Sequence, residues 1–381
     1  MIPKSIQTWQ MSEPGKLLRT EIPVPELQAG EALVEIRGCG VCHTDLSYFY
    51  MGVPTVHKGP LSLGHEIAGV VVAGDARVLG EEVIIPAVLP CNKCELCKTG
   101  RGNRCLAQKM PGNSMGIYGG YSSHIPVPAE DLCIVGNRGK IPLEHLSVIA
   151  DAVTTPYQAA IRARLQPGDR VIIIGAGGGV GSFMTQMAKG LGAAAVIGID
   201  INEEKLEFMK GYGADFTINP KGKSAKDVKE LFKAFCKEKG LPANYGWKIF
   251  EVTGSKPGQE LALSLLSFTG MLIVVGYGSD ETSYMLSKLM AFDAELIGTW
   301  GCLPAYYPEV LEMCVDGRIA LEPFVETRPM SQIAQVFDEA HHGKLKRRVI
   351  LTPDFDENQP LSTQRSQRHR RPWGKGLCFS R

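Results

Sequence analysis

The sequence lacks features that mark several protein classes. No run of residues approaches the roughly 18–20 apolar residues of a membrane-spanning helix. The formal net charge is only +1, so no overall field attracts nucleic acid or a membrane surface. Residues 1–7 lack the apolar core of a secretory signal. We therefore expect no nucleic-acid or membrane partner and, with 11 cysteines and 13 methionines, a reducing cytoplasmic location.

The length and composition are those of a soluble globular protein with two domains: 381 residues, 44% hydrophobic and 21% charged. Residues 1–152 are predicted to be rich in β-structure. Short apolar or alternating runs at 31–36, 68–73 and 82–87 are separated by glycine and proline, as is typical of strands.

Residues 153–298 follow a different pattern, in which apolar strand-like runs alternate with helical segments. The predicted elements are, in chain order, 170–174, 180–191, 195–199, 203–212, 248–252, 258–266 and 271–275. This alternation predicts an α/β domain with a doubly wound parallel sheet and helices on both faces.

The last part of the chain divides into two segments. Residues 299–355 contain predicted helices at 307–316 and 333–341 and a strand at 347–351, and we expect them to pack back on the first domain. Residues 356–381 are polar, basic and without pattern, so we predict a disordered tail. A nucleic-acid-binding arm is the alternative for this tail.

Four cysteines lie in one short segment with the spacing C-x2-C-x2-C-x7-C. They are Cys91, Cys94, Cys97 and Cys105. Two tight C-x2-C steps in a chain without a secretory signal favour metal over disulfides. Four thiolates around one ion describe a structural zinc site with no position open for chemistry. Unrelated cysteines or a disulfide knot remain the alternatives.

A glycine-rich turn follows the predicted strand at 170–174 and precedes a helix. The residues placed at the nucleotide phosphates are Gly177, Gly178, Gly179, Val180 and Gly181. Without side chains, this turn lets a dinucleotide approach the start of the helix. Asp200 ends the next strand, where a carboxylate binds both ribose hydroxyls and repels a 2′-phosphate, so NAD is favoured over NADP. Lys205 is a further candidate for the ribose.

The register of this turn is ambiguous because it carries one glycine more than G-x-G-x-x-G. Counting back from Val180 and Gly181 puts Ala176 in the place of the first glycine. A flexible glycine loop in a fold that binds no nucleotide is the alternative interpretation.

A second group of metal-ligand residue types is spread along the chain: Cys42, His65, Glu66 and Asp151. A thiolate, an imidazole and a carboxylate are good zinc ligands, and three protein ligands leave a fourth position for water or substrate. By spacing alone a histidine in Gly-His-Glu is more often a hydrogen-bonded core or turn residue.

Together these motifs resemble the zinc-dependent medium-chain alcohol dehydrogenases over about residues 1–352. The resemblance rests on the segments 38–45, 64–66 and 150–155, the four-cysteine loop, the glycine-rich turn and Asp200. It implies a GroES-like catalytic domain and a Rossmann NAD-binding domain, with the active site between them. It also implies one catalytic and one structural zinc in each chain, and a homodimer or homotetramer.

The resemblance also implies roles for residues around the catalytic zinc. Cys42, His65 and Asp151 match its ligands, with aspartate where many members have cysteine. Glu66 matches a carboxylate that approaches the zinc during ligand exchange. Asp45 matches the carboxylate that orients the zinc histidine.

Further matches concern the substrate and coenzyme. Thr44 matches the catalytic hydroxyl that binds the alcohol, and His43 and Arg347 match residues that touch the coenzyme diphosphate. Ser47 stands where several members have a proton-relay histidine. The proton must then leave through the NAD ribose or another base, for which His57 is a candidate; a solvated loop histidine is the alternative.

Within the family, the resemblance extends to members that oxidise the secondary alcohol of a cyclic acyl-CoA in anaerobic aromatic degradation. Segments 48–52 and 298–302 carry this finer resemblance. Candidate cations for the CoA phosphates are scattered: Lys58, Arg101, Arg104 and Lys109. A zinc dehydrogenase for another secondary alcohol or a polyol, and a non-catalytic zinc- and nucleotide-binding protein, are the alternatives.

Overall fold

Three β-sheets organise the residues that the computed structural model describes, which are 3–355 and 363–365. The strands are β1 (Ser5–Glu13), β2 (Lys16–Pro23), β3 (Glu31–Gly40), β4 (Leu61–Ser62), β5 (Glu66–Gly74), β6 (Glu82–Ile85), β7 (His124–Pro128), β8 (Cys133–Ile134), β9 (Arg170–Ile174), β10 (Ala195–Ile199), β11 (Phe216–Ile218), β12 (Trp247–Glu251), β13 (Met271–Val274), β14 (Glu295–Gly298), β15 (Val325–Pro329), β16 (Arg348–Thr352) and β17 (Thr363–Arg365).

The α-helices flank these sheets or connect their strands. They are α1 (His43–Met51), α2 (Glu95–Lys98), α3 (Thr154–Arg162), α4 (Gly179–Gly190), α5 (Glu203–Lys210), α6 (Ala225–Lys239), α7 (Lys256–Leu265), α8 (Ser287–Phe292), α9 (Tyr307–Val315) and α10 (Ile333–His341). Among the described residues, none of these helices is both long and apolar enough to cross a membrane.

The parallel sheet has six strands in the order β11-β10-β9-β12-β13-β14. All five neighbouring pairs are parallel. The strands β9, β10 and β12 are almost wholly buried, as expected for a sheet covered by helices on both faces. The predicted α/β class, a Rossmann-like parallel sheet beside a β-rich domain, is confirmed.

The β-rich part contains a seven-stranded sheet, with six strands in the order β15-β16-β3-β5-β6-β8 and β7 paired to β3. β16 pairs antiparallel with β3, so the segment after the parallel sheet returns to the first sheet. The domain boundaries themselves stay predictions.

A smaller sheet of order β17-β2-β1-β4 completes the β-rich part. The predicted disordered tail lies outside the described residues, except for β17, whose backbone pairs antiparallel with β2.

Candidate metal centres and nucleotide site

The four-cysteine cluster is closed by one loop between β6 and β7. The Sγ atoms of Cys94 and Cys97 lie 3.4 Å apart, and those of Cys94 and Cys105 lie 3.7 Å apart. The Sγ atoms of Cys91 and Cys97 are 4.0 Å apart. Zinc–sulfur bonds of about 2.3 Å in a tetrahedron place sulfurs about 3.8 Å apart, so the four thiols fit one zinc ion.

Backbone amides of the same loop favour the thiolate form that a metal requires. Hydrogen bonds from the N–H groups of Lys93 and Cys94 lower the pKa of Cys91 to about 6. The N–H group of Cys97 lowers the pKa of Cys94. The main chain of the loop therefore favours the thiolate forms of Cys91 and Cys94, whereas burial raises the pKa of Cys97 and Cys105.

The second cluster unites four side chains from separate parts of the chain: Cys42, His65, Glu66 and Asp151. Cys42 caps the start of α1, Glu66 is the first residue of β5, and His65 immediately precedes that strand. Asp151 follows the 3-10 helix Leu143–Ala150. One ligand atom from each residue lies within 4.8 Å of the others.

The distances in this cluster fit a tetrahedral zinc with three protein ligands. Oδ2 of Asp151 lies 3.7 Å from Sγ of Cys42 and 3.4 Å from Nε2 of His65. Zinc bonds of about 2.0–2.3 Å predict ligand separations of about 3.3–3.8 Å. Thr155 donates its hydroxyl to Oδ1 of Asp151 at 2.6 Å, which leaves Oδ2 to face the thiol and the imidazole.

Asp45 is the buried carboxylate behind the imidazole of His65, with its Oδ1 3.4 Å from Nδ1. The N–H of Gly64 donates to Oδ1 at 3.1 Å, and the N–H of Cys42 and the hydroxyl of Tyr121 donate to Oδ2 at 3.1 and 2.8 Å. Asp45 thereby fixes two metal-ligand segments and turns Nε2 of His65 towards the cluster.

The surroundings favour the ionised forms of Asp151 and Asp45, whereas burial outweighs the charge of Arg348 and raises the pKa of Glu66. Burial raises the pKa of Asp151, but its hydrogen bond with His65, the charge of His65 and the Thr155 hydroxyl outweigh burial and lower the pKa to about 2. Burial is likewise outweighed at Asp45, whose pKa is lowered by His65 and by the hydrogen bond from Tyr121. Ionised carboxylates are the form that binds a cation.

Tyr307 in α9 fixes the segment that ends at Asp151. Its fully buried hydroxyl donates to the carbonyl of Ala150 at 2.5 Å and accepts the N–H of Ala87 at 3.1 Å. The position of Asp151 therefore depends on the side chain of Tyr307, which lies 157 residues after Ala150 in the sequence.

Two positions of the glycine-rich turn, Gly175 and Gly181, require glycine for conformational or steric reasons. Gly175 has φ +95°, in the left-handed region that favours glycine. A β-carbon at Gly181 would lie 1.9 Å from the carbonyl oxygen of Gly175, so only glycine lets α4 approach the turn. Gly175 is therefore the turn glycine, and the register that puts Ala176 there is wrong. The extra residue is absorbed before α4 begins at Gly179.

Asp200 and Lys205 both adjoin this turn. Oδ2 of Asp200 accepts the N–H of Gly177 at 2.8 Å, and its Oδ1 accepts the N–H of Asn202 at 3.0 Å. A β-carbon on Gly177 would lie 2.7 Å from Cβ of Lys205. The predicted nucleotide residues are therefore neighbours in space.

Arg348, not Arg347, connects the turn with the second metal cluster. Nε of Arg348 donates to Oε2 of the buried Glu66 at 2.7 Å, and its Nη2 donates to Oε1. A β-carbon on Gly179 would lie 2.6 Å from Nη1 of Arg348. Arg347 is exposed, so the expectation that it lies beside the phosphates needs correction. Arg347 and Arg348 are adjacent in the sequence. The residue at which β16 begins determines which of the two side chains points towards Glu66.

His43 lies near the cations of the same region, which favour its neutral form. Burial, followed by the charges of Arg348, Lys205 and His341, lowers the pKa of His43, although its ring retains contact with solvent. Arg348 and Lys205 thus place positive charge beside the glycine-rich turn, as an anionic diphosphate requires.

The predicted proton-relay residues occupy different environments. Sγ of Cys42 lies 3.6 Å from Oγ1 of Thr44, so the threonine hydroxyl adjoins the metal cluster. Ser47 donates its hydroxyl to the carbonyl of His43 at 3.0 Å. His57 is exposed, and its ring packs against Gly116.

The four candidate CoA cations include two that already have partners. Arg104 lies over the ring of Trp300, 5.4 Å from its centroid, and Nζ of Lys109 lies 3.5 Å from Oε1 of Glu31. Lys58 and Arg101 are exposed. Sequence reasoning missed Tyr121, Thr155 and Tyr307, because no local motif indicates a hydroxyl that bonds a ligand residue from far along the chain.

Two family descriptions match the chain. "Alcohol dehydrogenase GroES-like domain" covers residues 28–137, and "Zinc-binding dehydrogenase" covers residues 179–316. The chain is 31% identical over 341 residues to an alcohol dehydrogenase of Geobacillus stearothermophilus, which covers 88% of this chain and 95% of that protein. A sorbitol dehydrogenase of Bombyx mori is 27% identical over 344 residues, 87% of this chain and 94% of that one.

Among solved structures, the acetophenone reductase of Geotrichum candidum in complex with NAD has a TM-score of 0.81 and 25% identity. It covers 94% of this chain and 99% of that one. The two metal clusters, the parallel sheet with its glycine-rich turn, and these similarities agree. The chain belongs to the zinc-dependent medium-chain alcohol dehydrogenase family.

Proposed function

We propose that this chain, an NAD-dependent zinc alcohol dehydrogenase, oxidises a secondary alcohol to a ketone with transfer of hydride to NAD. The observation that carries the proposal is Arg348, which bonds Glu66 beside the metal cluster and touches the turn at Gly179. This contact supports a substrate oxygen and a nicotinamide meeting in one cleft.

The chain's own residues have separate tasks in this reaction. Cys42, His65 and Asp151 would hold a zinc ion, which polarises the alcohol and lowers its pKa. Thr44, whose Oγ1 lies 3.6 Å from Sγ of Cys42, is placed to accept the alcohol proton at its hydroxyl oxygen while it releases its own hydroxyl proton. Ser47, which stands where several family members have the relay histidine, donates its hydroxyl to the carbonyl of His43 and offers no imidazole to continue the relay.

Purified protein should contain two zinc ions per chain and produce NADH from NAD and a panel of secondary alcohols. Elemental analysis that finds one tightly held metal per chain in a fully active preparation would contradict the catalytic zinc. A metal-loaded protein that binds NAD without turnover of any alcohol would favour the non-catalytic alternative.

We propose 6-hydroxycyclohex-1-ene-1-carbonyl-CoA as the substrate and the 6-oxo enoyl-CoA as the product. The two segments that carry this resemblance both border the site. Residues 48–52 form the end of α1, the helix that carries Thr44, together with its C-cap residue Gly52. In segment 298–302, burial and, to a smaller extent, the charge of Asp151 raise the pKa of Cys302. Arg104 over Trp300 adds a cationic, aromatic surface next to that segment.

Steady-state rates should separate this substrate from polyols, which the sorbitol dehydrogenase relative favours. We expect kcat/KM for the CoA thioester to exceed that for sorbitol and for the free cyclic hydroxy acid. Arg104→Ala should raise KM for the CoA thioester, whereas Arg318→Ala, at an exposed arginine paired with Asp316, should leave it unchanged. Equal kcat/KM for thioester and free acid in the parent enzyme would end the CoA proposal.

The conjugated product permits a second reaction at the same site. In the reverse direction hydride could enter the β-carbon of the enone instead of the carbonyl carbon. Reduction of the product with deuterated NADH, followed by NMR of the deuterium position, distinguishes the two outcomes.

Asp200 is proposed to select NAD through the ribose hydroxyls. Asp200→Ala removes a carboxylate that would repel a 2′-phosphate, so KM for NAD should rise about tenfold while NADP is used better than before. Glu203→Ala, at the exposed start of α5, is the control. An unchanged NAD/NADP ratio in Asp200→Ala would remove Asp200 from the ribose site.

We propose a homodimer or homotetramer built through β14. Within the described residues β14 is an edge strand, and the apolar side chains around it are exposed, with Met290 at 77%, Leu286 at 70% and Met285 at 64%. Light scattering should give a dimer or tetramer, and Leu286→Lys with Met290→Lys should dissociate it. A monomeric parent protein would contradict the proposal.

A further inference from the structure

A small apolar cavity lies at the N-terminal edge of the parallel sheet. It has a volume of about 240 Å³, and the segments just before β12, β13 and β14 border it. The glycine-rich turn follows β9 and therefore lies at the opposite, carboxyl edge. Parallel strands of five residues, such as β9 and β12, span roughly 16 Å. The cavity is thus separate from the nucleotide site and from both metal clusters.

The walls of this cavity are aromatic and aliphatic side chains. They are Phe232, Leu265, Leu266, Phe268 and Phe292. The rings of Phe268 and Phe292 meet edge to face, with centroids 5.3 Å apart. The N–H of Phe268 donates to the carbonyl of Asn244 at 3.1 Å, and the N–H of Thr269 donates to the carbonyl of Phe292 at 2.8 Å. Because the main chain holds these walls, a ligand would enter a preformed cavity.

Lysine side chains border the same cavity. Lys229 and Lys233 line it and are four residues apart in α6, so they share one face of that helix. Lys288 stands four residues before Phe292 in α8 and shares the face that Phe292 turns to the cavity. Met290, proposed above for the subunit contact, is two residues from both and lies on the opposite face of α8. The cationic border is therefore distinct from the proposed subunit contact.

The positive charge at this border is only partly balanced. Lys233 pairs with Glu230, whose Oε1 lies 2.9 Å from its Nζ. Within residues 3–355, neither Lys229 nor Lys288 has a carboxylate oxygen within the 4.0 Å of an ion pair. Burial, followed by the charges of Lys288 and Lys233, lowers the pKa of Lys229. The ordinary pKa of lysine, about 10.4, is far above neutrality, so these side chains are cations that an added anion would stabilise.

An apolar cavity beside unpaired ammonium groups suits a ligand with an apolar body and one anionic end. At about 30 Å³ for a group the size of water, 240 Å³ holds about eight such groups. We propose that the cavity binds the monomeric anion of a medium-chain carboxylic acid of about eight carbons. Its alkyl chain packs between Phe232 and Phe268, and its carboxylate pairs with Lys229. This binding site is additional to the oxidation proposed above and independent of it.

Calorimetry with sodium octanoate on the full-length, zinc-loaded protein tests the site. Burial of about seven methylene groups corresponds to a Kd of about 0.1 mM. Lys229→Gln should raise this Kd about tenfold, because it removes the cation and keeps most of the side chain. Lys237→Gln, at an exposed lysine further along α6, is the matched control and should bind like the parent. Butanoate, with four methylene groups fewer, should bind the parent about fiftyfold more weakly or worse.

The catalytic metal cluster is the competing site for a carboxylate, since a carboxylate oxygen is a good zinc ligand. Cys42→Ser, which disrupts that cluster, should therefore keep the parent Kd for octanoate. Phe268→Asp puts a negative charge on a wall residue that is 50% exposed, and it should abolish octanoate binding in the parent and in Cys42→Ser. Loss of binding in Cys42→Ser, with parent-like binding in Lys229→Gln, would overturn the proposal.

Three further results would also overturn it. Octanoate that does not bind the parent at about 10 mM would show that the cavity holds no alkyl chain. Dissociation of the parent oligomer by Phe268→Asp in light scattering would show that a second copy covers the cavity. Binding to phosphatidylglycerol vesicles that Phe268→Asp abolishes, without binding of monomeric octanoate, would identify a membrane surface as the partner instead.

Discussion

The two metal clusters of this chain show how differently one protein can hold the same kind of ion. The four-cysteine cluster is completed between residues 91 and 105, uses one ligand type and leaves three of its thiols half-exposed. The Cys42 cluster draws three ligand types from between residues 42 and 151, with Cys42, His65 and Glu66 buried. The first is closed by its own loop, whereas the second depends on the packing of the whole fold.

This contrast separates stability from chemistry. Four thiolates occupy all four coordination positions of a tetrahedral ion, so the loop cluster can stabilise the fold but cannot bind a substrate. Three ligands and a carboxylate engaged by Arg348 leave the other cluster able to accept an oxygen. The following changes break or sharpen this contrast, from the largest expected effect to the smallest.

Cys42→Ser should nearly abolish catalysis and leave the loop cluster intact. Loss of the metal-held alcohol removes several kcal/mol of stabilisation, so kcat should fall about a thousandfold or more. NADH formation and elemental analysis check this, with zinc falling from two ions per chain to one. Cys236→Ala, a buried thiol in α6, is the control and should keep both metals. Activity that survives in Cys42→Ser would refute the metal role.

Cys97→Ser should do the reverse. The loop loses its ion, and the melting temperature should fall by roughly 5–10 °C, while kcat of the folded fraction stays within a few-fold. Calorimetry and metal analysis at a temperature well below unfolding check both parts. An unchanged melting temperature would show that the loop does not depend on metal.

Asp45→Asn should weaken the catalytic metal without removing a ligand. Asp45 anchors Cys42 and Gly64 and orients His65, so metal affinity should fall about 10- to 100-fold. Chelator competition measures this affinity. Asp75→Asn, on a surface carboxylate paired with Arg77, should leave it unchanged. Equal metal affinities in Asp45→Asn and Asp75→Asn would show that Asp45 does not orient His65.

Asp151→Cys should have the smallest effect, since it exchanges one zinc ligand type for another. We expect zinc to be retained and kcat to change by less than about tenfold. Thr155→Ala removes only the hydrogen bond to Asp151. The change in kcat that it causes shows how much a small displacement of this carboxylate matters. Loss of the metal in Asp151→Cys would show that the site is shaped for an oxygen ligand alone.

The same contrast explains what the sequence could predict. The four-cysteine loop needs only local spacing, and strands β9 and β10 match the predicted segments residue for residue because buried parallel strands are continuous apolar runs. The Cys42 cluster has no spacing rule, so its identification relied on family resemblance. Its supporting contacts from Tyr121 and Tyr307 depend on tertiary packing, which no local pattern encodes.

Two differences have identifiable physical causes. The choice between Arg347 and Arg348 turns on where a strand begins, and a shift of one residue reverses the side-chain direction. Strand β14 escaped prediction because its four residues are exposed or half-buried at the edge of the sheet and show no buried apolar run.

The hydroxyl of Tyr307 has a consequence for the order in which a newly made chain acquires its metals. The loop at 91–105 is complete as soon as it leaves the ribosome, and it can bind zinc there. The segment before Asp151 reaches its final position only when Tyr307 is available to accept from Ala87 and donate to Ala150. We therefore expect the structural ion to bind during translation and the catalytic ion to bind only near its end.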